Sequence, residues 1–266
     1  MAGLEKNSAS SSLGPHLVTR EKFDSVLFDL DGVLTSTASI HAEAWKQMFD
    51  AYLAQLRAEA PSAERFRPFD MDDYKRYVDG RPRYEGVRAF LESRGIHLPV
   101  GSAQDPPGDA SVAALGNRKD VLVKQAIEAG RVESFEGSIE WVRRLRERGF
   151  ALAVVSSSRN CAAVLRAAKI DHLFDVRVDG ETLIELNLPG KPAPDSFLKA
   201  AELLGVSPHR AVVVEDAISG VQAGHAGKFG LVIGVDREGH GHAHALRQHG
   251  ADLVVGDLSE LEERPR

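Results

Sequence analysis

Cysteine is what this sequence has least of. Cys161 is the single one in 266 residues, which excludes an internal disulfide and fits a reducing compartment, the cytoplasm. A basic excess is missing too. The formal net charge of −6 argues against a general nucleic-acid binder, which needs a positive surface to displace counterions. No apolar run approaches the length that spans a bilayer, so no membrane partner is expected. Met1 to Gly14 is rich in Ser and Ala and has no apolar stretch behind Lys6. Residues 1–21 therefore read as a disordered leader rather than a secretory signal. No internal repeat interrupts the remainder.

With 43% hydrophobic and 27% charged residues, the chain can bury a real core. Phe23 to Leu30 is an apolar, β-branched and aromatic run closed by Asp31-Gly32, the pattern of a buried strand entering a turn. Helical spacing follows at Ile40, Ala44, Trp45, Met48, Tyr52 and Leu56. It recurs from Met71, pauses at the turn signature of residues 79–82, resumes through Leu91 and returns over Asn117 to Ala129. Residues 99–107 are a loop by composition.

Beyond residue 132 the character changes. Strands are predicted at 150–155, 174–178, 211–214, 231–235 and 253–255. Helices are predicted at 139–148, 160–168, 193–204 and 220–226. Strands alternating with helices imply an α/β fold, a Rossmann-like parallel sheet covered on both faces. The helical block after the first strand reads as an inserted cap. The expected organisation is a core segment over 22–36, a helical cap over 37–132, and the rest of the core over 133–266.

In open parallel sheets, ligands bind beyond the carboxyl ends of the strands. Asp29 and Asp31 end the first strand, Ser156, Ser157 and Ser158 follow the second, and Glu215-Asp216 end a later one. Lys191 lies in a loop ahead of a helix. Carboxylates brought that close repel one another and need a cation to stay ionised. Mg²⁺ suits hard oxygen ligands shared with phosphate, while hydroxyls and an ammonium are donors to phosphate oxygens. The chemistry indicated is phosphoryl transfer by positioning and charge neutralisation.

Four segments, DLDGVLT from Asp29, VVSSS from Val154, GKPAPD from Gly190 and VVVEDAISGVQAG from Val212, together resemble the loop motifs of the haloacid dehalogenase-like superfamily. The resemblance implies that Asp29 is the nucleophile that becomes an aspartyl phosphate and that Asp31 is the general acid–base. It implies that Ser156 and Ser157 bind the transferring phosphate and that Lys191 neutralises it. Asp29, Asp216 and the backbone carbonyl of Asp31 then hold one Mg²⁺, with Glu215 ligating it or positioning a metal-bound water.

The cap stretches TSTASIHAEAWKQMF, DGRPRYEGVRAFL and Asn117-Arg118-Lys119 resemble the β-phosphoglucomutase family. That resemblance implies interconversion of β-D-glucose 1-phosphate and glucose 6-phosphate, with glucose 1,6-bisphosphate as primer. His41, Trp45, Arg83, Lys119, Ser158, Arg159 and Asn160 are then the substrate contacts, with Arg83 on the non-transferring phosphate. His41 and Lys119 act together in cap closure. A sugar-phosphate phosphatase uses the same catalytic set and is the alternative. Ser36 stands where most relatives carry aspartate. Cys161, at the start of an apolar helix, reads as buried structure. The histidines at 240, 242, 244 and 249, spaced by glycine, read as an exposed flexible loop rather than a zinc site. A monomer acting on a small sugar phosphate is the expected state.

Overall fold

The computed structural model describes residues 17–59, 64–237, 239 and 241–262. Six parallel strands form one sheet in the order β3-β2-β1-β4-β5-β6. In chain order they are β1 (Ser25–Phe28), β2 (Ala151–Val155), β3 (Val176–Val178), β4 (Ala211–Glu215), β5 (Leu231–Val235) and β6 (Leu253–Val255). The strands lie within the predicted runs or extend them by a single residue.

The sheet is central because its strands are apolar on both faces. Val26 and Phe28 of β1 enter one buried cluster with Leu152, Val154, Val212, Val214 and Ile233. Leu27 enters the opposite cluster with Ala153, Val155, Val213 and Val232. This alternation with a continuous apolar run is the mark of a parallel strand buried on both sides.

Register fixes where the chemistry falls. Phe28 lies beside Val154 on one flank and Val214 on the other, and the Asp29 amide donates to the Val214 carbonyl at 2.9 Å. Asp29 therefore emerges between the ends of β2 and β4, where the strand order reverses and a crevice opens.

Among the described residues four α-helices make the cap, α1 (Thr37–Glu59), α2 (Met71–Asp73), α3 (Arg83–Ser93) and α4 (Val112–Glu128), with a 3-10 turn at Glu64–Phe66 and a π-helical turn at Tyr74–Val78 behind α2. Ser111 caps α4 by accepting from the Ala114 amide at 3.0 Å, so the helix begins five residues before its predicted start. The cap has its own core. Phe49 packs against Trp45, Phe69 and Phe90, with ring centroids 5.4, 5.1 and 4.1 Å away. The chain leaves the first strand and returns from the cap side by side, bridged at Thr35 and Ser134, and the Ser36 amide donates to Glu133 O at 2.9 Å.

The core helices are α5 (Glu136–Glu147), α6 (Cys161–Ala167), α7 (Gly180–Glu185), α8 (Asp195–Leu203), α9 (Ile218–Ala226) and α10 (His242–Gln248). Two of them depart from the sequence reading. The polar stretch at 180–185 winds into α7 because the Asp179 carboxylate caps it, accepting from the Glu181 and Thr182 amides. The histidine run does not form a loop. It enters α10 through Gly241 at φ +92°, and fully buried Leu246 anchors the helix to the core. His240 lies outside the described residues, as do residues 1–16 of the expected leader. Residues 17–21 are placed against the core: Val18 is buried and its carbonyl accepts from Arg148 at 2.9 Å. Cys161 is buried and unpaired, and among the described residues no helix is long and apolar enough to cross a membrane.

Phe49 touches three aromatic partners and is fully buried. Phe49→Ala is expected to cost about 3–5 kcal/mol of cap stability, read as a lower denaturant midpoint or earlier amide exchange across α1 and α3. A loss below about 1 kcal/mol contradicts this packing.

Candidate active site

A cavity of about 330 Å³ opens between cap and sheet, with Asp29, Asp31 and Asp216 at its floor and Lys119 and Arg83 on its cap side. That size suits a small molecule.

The floor is built around Lys191. Its ammonium lies 2.5 Å from Asp29 Oδ1 and 2.7 Å from Glu215 Oε1, and it donates to the Val155 carbonyl at 3.2 Å. Its side chain is only 1% exposed, so the charge depends on these partners. Burial pulls the lysine down, but the two carboxylates outweigh it and hold its pKa above the usual range. Glu215 Oε2 accepts from the Ala217 amide at 2.8 Å. A side chain at Gly220 has no room here, since a Cβ would sit 1.6 Å from Glu215 Oε1.

Asp29, Glu215 and Asp216 place one oxygen each within 4.8 Å of one another. Three carboxylates against one ammonium leave two negative charges, and Asp216 has no cationic partner among the described residues. Burial, then the neighbouring carboxylates, push Asp216 well above its usual pKa, and burial does the same to Asp29. A divalent cation with hard oxygen preference fits this donor set and balances its charge. Gly32, at φ +86°, lets the chain pass the group; a Cβ there would meet Asp216 Oδ2 at 1.8 Å. The Asp31 carboxylate is not part of the acidic group. It turns the other way, where Thr37 Oγ1 donates to Oδ1 and Ser156 Oγ lies 3.5 Å from Oδ2. Two carboxylates two residues apart thus have different surroundings, the condition for different roles.

The three serines after β2 divide their work. Ser156 Oγ accepts from the Ser158 amide at 3.1 Å and Ser158 Oγ from the Asn160 amide at 3.1 Å, which shapes the loop. Ser157 Oγ donates to the Gly80 carbonyl of the cap at 2.7 Å. Ser219 Oγ donates similarly to Asp79 O at 3.0 Å. Both bonds bolt the cap shut over the floor.

On the cap side, Lys119 Nζ lies 2.6 Å from His41 Nδ1 and 4.9 Å above the Trp45 ring. Burial, then the Lys119 charge, lower His41 to about 4. Neutral His41 accepts from Lys119 at Nδ1, so its proton sits on Nε2, which is 3.6 Å from Asp31 Oδ1 and makes no hydrogen bond. Trp45 lines the cavity with its edge while stacking on Phe49 in the cap core. Arg83 NH1 is 2.7 Å from Asp120, and Arg159 donates to Glu181 at the rim.

All of the sequence-predicted residues therefore come to one cavity or its wall. Sequence reasoning placed Thr37, which holds Asp31, in the cap stretch TSTASIHAEAWKQMF without giving it a role, and it missed Asp120, which follows Lys119. It also missed two groups from beyond β5. His242 Nε2 donates to the Asp216 carbonyl at 2.7 Å. Arg237 donates to Gly32 O at 2.9 Å and Val33 O at 3.2 Å, pinning the turn behind Asp29. His242 stood out only within the histidine run read as a loop, and Arg237 has no local sequence signal.

A parallel α/β core with an acidic strand-end site, closed by a helical cap inserted behind the first strand, defines a class of phosphate-handling enzyme. The chain belongs to the haloacid dehalogenase-like hydrolase family, whose pattern matches residues 23–228. It is 52% identical over 243 residues to a β-phosphoglucomutase of Mycobacterium bovis, covering 91% of this chain and 92% of that one. It is 32% identical over 238 residues to the β-phosphoglucomutase of Bacillus subtilis, covering 89% and 90%. The solved β-phosphoglucomutase of Clostridium difficile shares the fold, with a TM-score of 0.69 at 22% identity over 90% of this chain and 93% of that one.

Burial, reinforced by Arg83 and opposed by Asp31, draws Lys119 down to about 7. It is charged below that pH and loses its proton as pH rises through it. An NMR titration of ¹³C-labelled lysine is expected to give one midpoint near 7, absent in Lys119→Arg; a midpoint near 10 for Lys119 contradicts its buried placement.

Proposed function

We propose that this chain is a Mg²⁺-dependent β-phosphoglucomutase, interconverting β-D-glucose 1-phosphate and glucose 6-phosphate with glucose 1,6-bisphosphate as primer. It acts as a monomer on a small sugar phosphate, with neither nucleic acid nor membrane as partner. The observation that carries this reading is a cavity with two ends fit for phosphate. Asp29, backed by Lys191, and the acidic group form one end, and Arg83, Lys119, Arg159 and Asn160 lie towards the other. A substrate with one phosphate to transfer and another to hold needs both. The relatives that are 52% and 32% identical over nearly the whole chain support the same reading.

The chain's own residues divide the reaction as follows. Lys191, bonded to Asp29 Oδ1, holds the nucleophile in place and offsets charge on the incoming phosphate. Asp29, Asp216, Glu215 and the Asp31 carbonyl would hold a Mg²⁺, which would supply electrostatic stabilisation of the transferring phosphoryl group. Asp29 attacks phosphorus of the bisphosphate, and Asp31, steered by Thr37, protonates the departing sugar oxygen. In the return step Asp31 takes a proton from the hydroxyl of a bound hexose monophosphate, whose oxygen attacks the phosphoryl group on Asp29. The bolts from Ser157 to Gly80 and from Ser219 to Asp79 keep the cap closed and water away from the aspartyl phosphate. His41 and Lys119, joined at 2.6 Å, couple the bound substrate to that closure.

A coupled assay decides between mutase and phosphatase. With Mg²⁺, β-glucose 1-phosphate and a trace of bisphosphate, glucose 6-phosphate is expected to form at least about 100-fold faster than free phosphate. Asp29→Asn is expected to lower both rates by at least about 10³-fold. Free phosphate without glucose 6-phosphate leaves the Asp29 chemistry standing and assigns a sugar-phosphate phosphatase instead.

A further inference from the structure

Arg83, the cation that grips the distal phosphate in the reading above, is already matched by a carboxylate of this chain. Asp120, next to Lys119 on α4, places Oδ1 2.7 Å from Arg83 NH1. The same oxygen accepts from Asn160 Nδ2 at 2.8 Å, and Oδ2 lies 2.9 Å from Lys124. Asp120 thus joins the cap arginine to a core residue across the cavity wall, with 14% of its side chain exposed. Burial pushes this carboxyl up, but the Arg83 charge and the hydrogen bonds from Lys124 and Asn160 win and hold it at about 2. It is an anion throughout the neutral range.

The match is one of charge and not of geometry. Arg83 NH1 is at ion-pair distance from Asp120 yet off the line of a hydrogen bond, and its buried Nε has no acceptor. A guanidinium fork is satisfied by paired oxygens lying in its plane. A single oxygen off that line leaves buried donors open, a cost that a better acceptor can relieve. A phosphate group, with three terminal oxygens, can fill the fork and still accept from Asn160.

We propose that Asp120 is a place-holding residue that sets the affinity of the distal subsite: its carboxylate keeps the place of the distal phosphate between Arg83 and Asn160, and an incoming anionic ester binds by exchanging with it. The identity of the sugar rests on the mutase reading; the exchange itself does not. A dianion brings more charge and more acceptors than the carboxylate it displaces. The cost of releasing Asp120 is the same for every ester that exchanges with it, so it lowers the affinity of anionic esters by one common factor. Neutral sugars have nothing to offer the arginine and leave the pair closed.

Calorimetric titration of the Mg²⁺-loaded protein with glucose 6-phosphate and with glucose 6-sulfate compares a dianion with a monoanion of the same shape. The wild type is expected to prefer the phosphate on the order of 30-fold or more. Asp120→Asn, which keeps the shape and removes the charge, is expected to bind both esters at least about tenfold more tightly, with the preference between them unchanged. Asp120→Glu retains the competing charge and must not tighten either ester. An Asp120→Asn protein that binds both esters more weakly, with the preference intact, makes Asp120 a mere support for Arg83 and overturns the exchange. So does a variant that binds both unchanged, or a wild type that binds neither. Conversion of β-glucose 1-phosphate by the wild type, followed in parallel, reports on the mutase reading separately. Its absence sinks that reading while the binding comparison still decides the role of Asp120.

Discussion

Everything at the floor of this molecule depends on one buried ammonium. Lys191 holds Asp29 and Glu215 at 2.5 and 2.7 Å in a place where none of the three meets solvent freely. Burying those charges singly costs several kcal/mol each, so the group is tolerable only as a set. The fold supplies the set by register and by one loop: Asp29, one step past β1, meets Glu215 at the end of the neighbouring β4, and Lys191 reaches both from the loop between α7 and α8. Lys191 cannot balance all the carboxylates. The remainder, centred on Asp216, defines where a divalent cation belongs; Lys191, and such a cation when bound, would favour the anionic form of Asp29 against the pull of burial and of the neighbouring carboxylates.

The cap is the second half of the same electrostatic problem. Cations at the far side of the cavity, Arg83, Lys119 and Arg159, are kept in a buried or half-buried place by local partners. Lys119 rests on neutral His41 and the Trp45 face, Arg83 on Asp120, and Arg159 on Glu181. A hexose carrying phosphate at either end is complementary to the two sides at once. Closure by backbone carbonyls at Asp79 and Gly80, from the cap turn, adds shape without adding charge.

Much of this was legible in the sequence because strand ends and chemistry coincide in it. Apolar runs terminating in Asp29, Ser156 and Glu215 gave both the sheet and the floor, since a parallel strand buried on two faces must be apolar throughout and change abruptly at its mouth. The cap cations Arg83 and Lys119 came from likeness to a family, because an arginine or lysine on a helix has no local mark of burial. The groups that were missed act over long separations. Arg237 reaches Gly32 and His242 reaches Asp216 through tertiary packing that no window of sequence contains. The α10 helix was missed because seven residues with two glycines ahead of them carry too little periodicity, and its anchor, Leu246, is a single buried side chain. Asp120 was readable as a charge but not as a partner, since its meaning lies in Asn160, forty residues away in the chain.

The central claim is that Asp29 carries the phosphoryl group, and the most direct measurement is to find it there. Protein mixed with Mg²⁺ and glucose 1,6-bisphosphate, quenched in acid within milliseconds and digested, is expected to yield an acid-stable, alkali-labile phosphate on the peptide containing Asp29. Phosphate on any other residue, or none on that peptide while glucose 6-phosphate is being formed, contradicts the account.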